Sequence, residues 1–155
     1  MGIEQLGEIS FNVQSLADSL QLTTSEVYSL WDDARAVNHI MELRLARHLN
    51  AELVAGNRSY DLIWNNDRFE VKVLSKRLDF CRSSLKGKKF EAIPFLAWLD
   101  TIQAFVTYDI QGFPLCPVYG VSTRLVKGWW NEGKLTDRAS MSRASFLREM
   151  EAFCS

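Results

Sequence analysis

The chain has 155 residues, 47% hydrophobic and 24% charged, with 18 Lys and Arg against 19 Asp and Glu. That is about one domain's worth of chain with enough apolar content for a core, and it excludes a disordered polyelectrolyte, a collagen-like repeat and a uniformly basic tail. No run approaches the ~18–20 apolar residues of a bilayer-spanning helix, the start MGIEQLGEIS has neither a signal-peptide nor a myristoylation pattern, and Cys81, Cys116 and Cys154 are widely spaced thiols without a CxxC, which together lead us to expect a soluble cytoplasmic protein with reduced cysteines.

In chain order, SLADSLQLTTSEVYSLWDDARA predicts two short helices around a polar break at Gln21–Thr24, with Thr24 or Ser25 capping the second. Val37–Leu49 predicts a further helix, AELVA at 51–55 a short β-leaning run, and Gly56-Asn57 a turn. Tyr60–Trp64 and Arg68–Leu74 are β-rich runs split by the polar Asn65–Asp67, which makes a hairpin. Residues 72–89 then carry Lys72, Lys76, Arg77, Arg82, Lys86, Lys88 and Lys89 against Asp79 alone, a local excess of six positive charges. An excess of that size suits a polyanion, whose phosphates release condensed counterions on pairing. The basic connection ends in the apolar Phe95–Leu99. Thr101–Ile110 is the most hydrophobic strand candidate, and Cys116–Val121 is another. Ser122 or Thr123 caps a helix running through Val126 and Trp130, and the tail from Ser140 to Phe153 has helical apolar spacing. This order predicts one domain of α/β or α+β class with a mixed sheet flanked by helices.

The chemistry concentrates in YDLIWNNDRFEVKVLSKR, residues 60–77. Alternation puts Phe69, Val71 and Val73 on one face of the strand and Glu70 with Lys72 on the other. Two charges inside an apolar strand are costly unless they pair or serve a site. Hairpin register brings Asp61 near Glu70, and two converging carboxylates repel unless a divalent cation lies between them. Hard oxygen ligands favour Mg2+, with Mn2+ as a substitute. Lys72 would then be a fixed ammonium suited to orienting an attacking water. A third acid, Glu42, shares a helical stripe with Leu45, Ala46 and Leu49, so a carboxylate falls on an apolar face. The alternative is a surface hairpin whose Glu70 and Lys72 form a solvated same-face pair.

The spacing D-x8-E-x-K, placed at the turn-side ends of the hairpin after a helical Glu and before a basic segment, resembles the PD-(D/E)XK nuclease superfamily over roughly Glu42 to Ile110. Tyr60 stands where many members have proline. The resemblance implies a restriction-endonuclease-like core (37–121) with an N-terminal helical extension (1–36) and C-terminal helices (122–155). It implies that Asp61 and Glu70 ligate Mg2+, that the main-chain carbonyl of Val71 completes the site, that Glu42 is a ligand or stands one step behind, and that Lys72 is the catalytic lysine. The expected activity is a DNA endonuclease of restriction or homing type, acting on double-stranded DNA as a homodimer, with Lys76, Arg77, Arg82, Lys86, Lys88 and Lys89 gripping the backbone. A Holliday-junction resolvase is the alternative within the superfamily.

The segment LADSLQLTTSEVYSLW also resembles a helix-turn-helix, with Ala17 at the helix crossing and Leu20, Val27 and Leu30 between the helices; Gln21 stands where that motif places glycine. If it reads a groove, Thr24 and Ser25 at the start of the second helix face the bases, and a non-catalytic DNA-binding protein is then a further alternative. His39 and His48 lack the company of a zinc site, at least one of Trp129 and Trp130 is expected in the core, and there is neither a nucleophile elbow nor a phosphate-binding GxxxxGK[ST], so no nucleotide cofactor is expected.

Overall fold

The computed structural model describes residues 2–55, 60–82 and 90–154. Six helices and an eight-stranded mixed sheet are found among them. The elements are β1 (Ile3–Ser10), α1 (Val13–Leu20), α2 (Thr24–Trp31), α3 (Ala34–Leu49), β2 (Glu52–Leu53), β3 (Leu62–Trp64), β4 (Asp67–Leu74), β5 (Arg77–Asp79), α4 (Ala92–Leu99), β6 (Ala104–Asp109), β7 (Leu115–Ser122), α5 (Thr123–Asn131), β8 (Ser140–Ser142) and α6 (Arg143–Cys154).

The sheet order is β1-β7-β6-β4-β3-β2, with β5 pairing both β4 and β8. Only β4 and β6 run parallel, in register from Phe69↔Ala104 to Leu74↔Asp109; the other pairs are antiparallel. The parallel pair sits at the centre. All six residues of β6 are buried, as expected of a strand covered on both faces. Its alternate side chains feed two separate cores. Ala104, Val106 and Tyr108 join Val27, Met41 and Leu45 beneath α1–α3. Phe105 joins Phe95, Trp98, Val126 and Phe146 beneath α4–α6. The coarse α/β class with a mixed sheet is therefore the one expected from the order of elements.

Local chemistry explains most element ends. The N-cap expected at Thr24 or Ser25 is instead Thr23, which forms a reciprocal capping box with Glu26. Asp33 caps α3, which starts before Val37, and Ser122 caps α5. Gln21, at the position a helix-turn-helix gives to glycine, does take a left-handed backbone (φ 57°). Ala17 and Val27 are buried between the helices as expected, whereas Leu20 is half exposed and does not belong to that interface. Trp129 is in the core, and Trp130 packs partly buried against Phe90 and Phe95.

Three strands have no counterpart in the sequence reading. β1 joins the sheet edge by pairing with β7, and its register shifts between Gln5 and Glu8. Gly7 enables that irregularity, with φ +93° and with His48 Nε2 only 2.9 Å from where a Cβ would stand. His48 Nε2 lies 2.7 Å from the Leu6 carbonyl, which fixes the bulge against α3. β5 and β8 are three residues each and hold one another at the far end of β4. The basic connection after β4 therefore begins as a strand.

Candidate active site

The hairpin is closed by Asn65-Asn66, both left-handed (φ 52° and 66°), between the paired Trp64 and Asp67. Two successive positive φ values are the signature of a two-residue turn whose twist matches the strands, and asparagine tolerates them. The register Leu62↔Phe69 follows. Asp61 thus stands beside Glu70 at the open end of the hairpin, four positions before the turn, and not at its turn side as expected from the sequence. There the Asp61 Oδ2 accepts the Val71 N–H at 2.9 Å, so the carboxylate takes over where the backbone ladder of β3 stops.

Alternation along β4 sends Phe69 and Val71 into the core beneath α1–α3 and Glu70 and Lys72 to the opposite face. Glu70 is 8% exposed and Lys72 7% exposed, which rules out a solvated surface pair. Burial pushes the Glu70 carboxyl up to about 8, helped by repulsion from Asp61 and by the hydrogen bond between the two carboxyl groups; the nearby charges of Lys72 and Arg82 pull the other way. At neutral pH Glu70 therefore keeps its proton.

The Lys72 ammonium donates to the Cys81 carbonyl at 2.6 Å and lies 5.9 Å from the centre of the Trp98 ring. Lys72 lines a cavity of about 280 Å3 together with Val73, Ser75, Arg77, Asp79 and Ser140. Thr107, opposite Lys72 in the β4–β6 register, is fully buried, and its Oγ1 has no hydrogen-bond partner among the described residues. Neither Cys81, Trp98 nor Thr107 was singled out from the sequence. The hydroxyl in the middle of the apolar run AFVTYD was the available signal for Thr107.

Glu42 approaches from α3 on the opposite side of the sheet. It is not part of the buried stripe: its side chain is 21% exposed, while Met41, Leu45 and Ala46 fill the core. Asn38 donates to Glu42 Oε1 at 3.0 Å, His39 lies 3.8 Å from Oε2, and the Tyr108 hydroxyl holds Asn38 in turn at 3.0 Å. Partial burial and repulsion from Asp61 raise its carboxyl above the ordinary range. The three acids are thus linked in sequence, Glu42 to Asp61 to Glu70. Among the described residues no group of three His, Cys, Asp or Glu side chains gathers as a ready metal cage.

Of the basic residues, Lys76 and Arg77 are exposed on the β4–β5 turn and the start of β5. Arg77 donates to Ser140 Oγ at 2.9 Å, and Arg82 is half buried, its charge felt by Glu70. Lys86, Lys88 and Lys89, like the Gly56-Asn57 turn, lie outside the described residues. Thr24 and Ser25 are exposed on the first turn of α2. They are on the side of the sheet covered by α1–α3, opposite the face that carries Glu70 and Lys72. No family model matches the chain, and neither a curated protein nor a solved structure matches it.

Proposed function

We propose that the chain is a Mg2+-dependent endonuclease that hydrolyses DNA phosphodiester bonds, with a restriction-endonuclease-like core acting on double-stranded DNA. One observation carries this reading: the buried Glu70 in contact with the half-buried Asp61, with the buried Lys72 two residues further along the same strand face. Burying Glu70 and Lys72 with a second carboxylate beside them opposes folding unless they serve a site. The donor set fits a hard divalent cation, because Glu70 and Asp61 are already in hydrogen-bonding contact and hold a proton where a cation would relieve their repulsion. Asp61 and Glu70 would hold the ion, with the Val71 carbonyl and Glu42 beside them. The bound ion would supply Lewis acidity toward the scissile phosphate and lower the pKa of a water.

The protein's own residues do the rest. Lys72 orients the attacking water and offsets negative charge on the phosphoryl oxygens, held in place by the Cys81 carbonyl and the Trp98 ring. Hydrolysis adds water across the phosphorus–oxygen bond, one strand per site. Arg77, Arg82 and Lys76 extend positive charge away from Lys72 and would hold the backbone without reading sequence. Restriction or homing type is the subclass we favour.

The test uses supercoiled plasmid, linear duplex and a four-way junction, each with Mg2+ or with chelator. We expect nicking or discrete fragments only with Mg2+. Lys72→Ala should lower the cleavage rate by about a hundredfold or more, the scale of losing one preorganised charge-stabilising donor, while DNA affinity stays close to wild type. Full cleavage by that variant would remove Lys72 from the chemistry.

A further inference from the structure

A second cavity, of about 570 Å3, opens where α2, the β4–β5 turn and the turn after β6 meet. Its volume lies within the range of small-ligand pockets. Trp31 is among its lining residues, 4% exposed and stacked on Phe113 with ring centres 4.3 Å apart and planes 15° from parallel. Tyr28 stands edge-on to Phe113 at 5.4 Å and is 46% exposed, so it presents ring surface to an incoming group. Around this aromatic wall lie an acceptor, Asp32, an amide, Gln111, and an ammonium, Lys76. The exposed Tyr28 ring to stack on, a carboxylate and an amide to read a polar edge, and a cation for an adjacent phosphate together match a nucleotide. An aliphatic ligand would leave the three polar groups without partners, and a bare anion would face Asp32.

The cavity is also tied to the candidate active site. Ser75 lines both this cavity and the smaller one that contains Lys72. Ser75 directly follows the end of β4, three positions after Lys72, and at about 3.3 Å per residue of extended chain it lies roughly 10 Å from it, about three base-pair steps of ~3.4 Å. We infer that the Tyr28–Trp31–Phe113 cavity receives a nucleobase turned out of the DNA stack near the bond being cut, with Lys76 on its phosphate. The inference takes its substrate from the nuclease reading.

The experiment follows the Trp31 indole N–H resonance of the full chain, assigned with Trp31→Phe, in metal-free buffer where no cleavage occurs. The probes are dAMP, dCMP and, as the base-free control, deoxyribose 5-phosphate. The nucleotides should shift the resonance saturably and the sugar phosphate should not. Tyr28→Ala and Lys76→Ala, both at exposed positions, should each weaken nucleotide binding about fivefold or more, the low end of what base–aromatic stacking contributes. Gln111→Ala, exposed and outside the aromatic stack, should change the dAMP to dCMP preference. An unmoved Trp31 resonance, an equal response to the sugar phosphate, or wild-type binding by Tyr28→Ala would each overturn the inference. Cleavage without nucleotide binding would sink the pocket alone, and nucleotide binding without any cleavage would sink the nuclease reading alone.

Discussion

Glu70 shows how much one buried carboxyl can weigh. Its ordinary value is 4.5 and the fold raises it to about 8, through burial first and Asp61 second. Below pH 4.5 the group is protonated in both folded and unfolded chains and makes no difference to stability. Between 4.5 and 8 the unfolded chain ionises while the folded chain keeps its proton, so stability falls as pH rises, and above about 8 the loss is complete. Each pKa unit corresponds to about 1.4 kcal/mol, so the loss is on the order of a few kcal/mol. Glu70→Gln keeps a donor toward Asp61 without a titrating proton. In chelator it should therefore be more stable than wild type at pH 8.5 and indistinguishable at pH 4, by urea unfolding; equal stability at both would show that Glu70 does not retain its proton. The sequence already marked this residue, because alternation put a charge inside a strand. It could not show the size of the effect, which needs α4 and β6 to cover that face. Glu42 was marked by the same kind of reasoning, yet its helix is rotated so that Met41 takes the core and the carboxyl reaches toward Asp61.

Among the elements, the β3–β4 hairpin does the positioning. Its two-residue turn sets the register, and the register sets which residue of β3 stands beside Glu70. The left-handed backbone at Asn66 (φ 66°) is the sensitive point. Asn66→Gly should be neutral or slightly stabilising, whereas Asn66→Val should cost about 1–2 kcal/mol from left-handed strain and reduce cleavage further by misaligning Asp61. Thermal unfolding and plasmid nicking on the same samples check both parts; full activity in Asn66→Val would separate the turn from the site. The hairpin was legible because period-two alternation and turn chemistry are local properties of ten consecutive residues. β1 was not, because only Ile3 and Ile9 are fully buried along it and the bulge at Gly7 breaks its alternation. β5 and β8 were not, because strands of three residues exist only through their partners, β4 and β8 for β5 and β5 for β8.

For the whole molecule, the sheet carries separate tasks on its two faces: Glu70 and Lys72 lie beneath α4–α6, while Glu42 and the helical pair α1–α2 cover the other side. One such site cuts one strand, so under the proposed function double-strand cleavage calls for two copies related by a two-fold axis. Sedimentation with cognate or plasmid DNA should show a dimer at concentrations where linear product forms; a monomer that makes both cuts would exclude that arrangement. The amino-acid sequence by itself determined the α/β class, the hairpin, and the Glu70 and Lys72 it carries on one strand, since helical spacing, strand alternation and asparagine turns act over a few neighbouring residues. Only the tertiary structure decided that β4 and β6 run parallel at the centre, that Lys72 is buried against Cys81 and Trp98, and that a shared Ser75 joins two cavities. Those outcomes depend on which distant segments meet, and burial, desolvation and register between such segments arise only when the chain has packed.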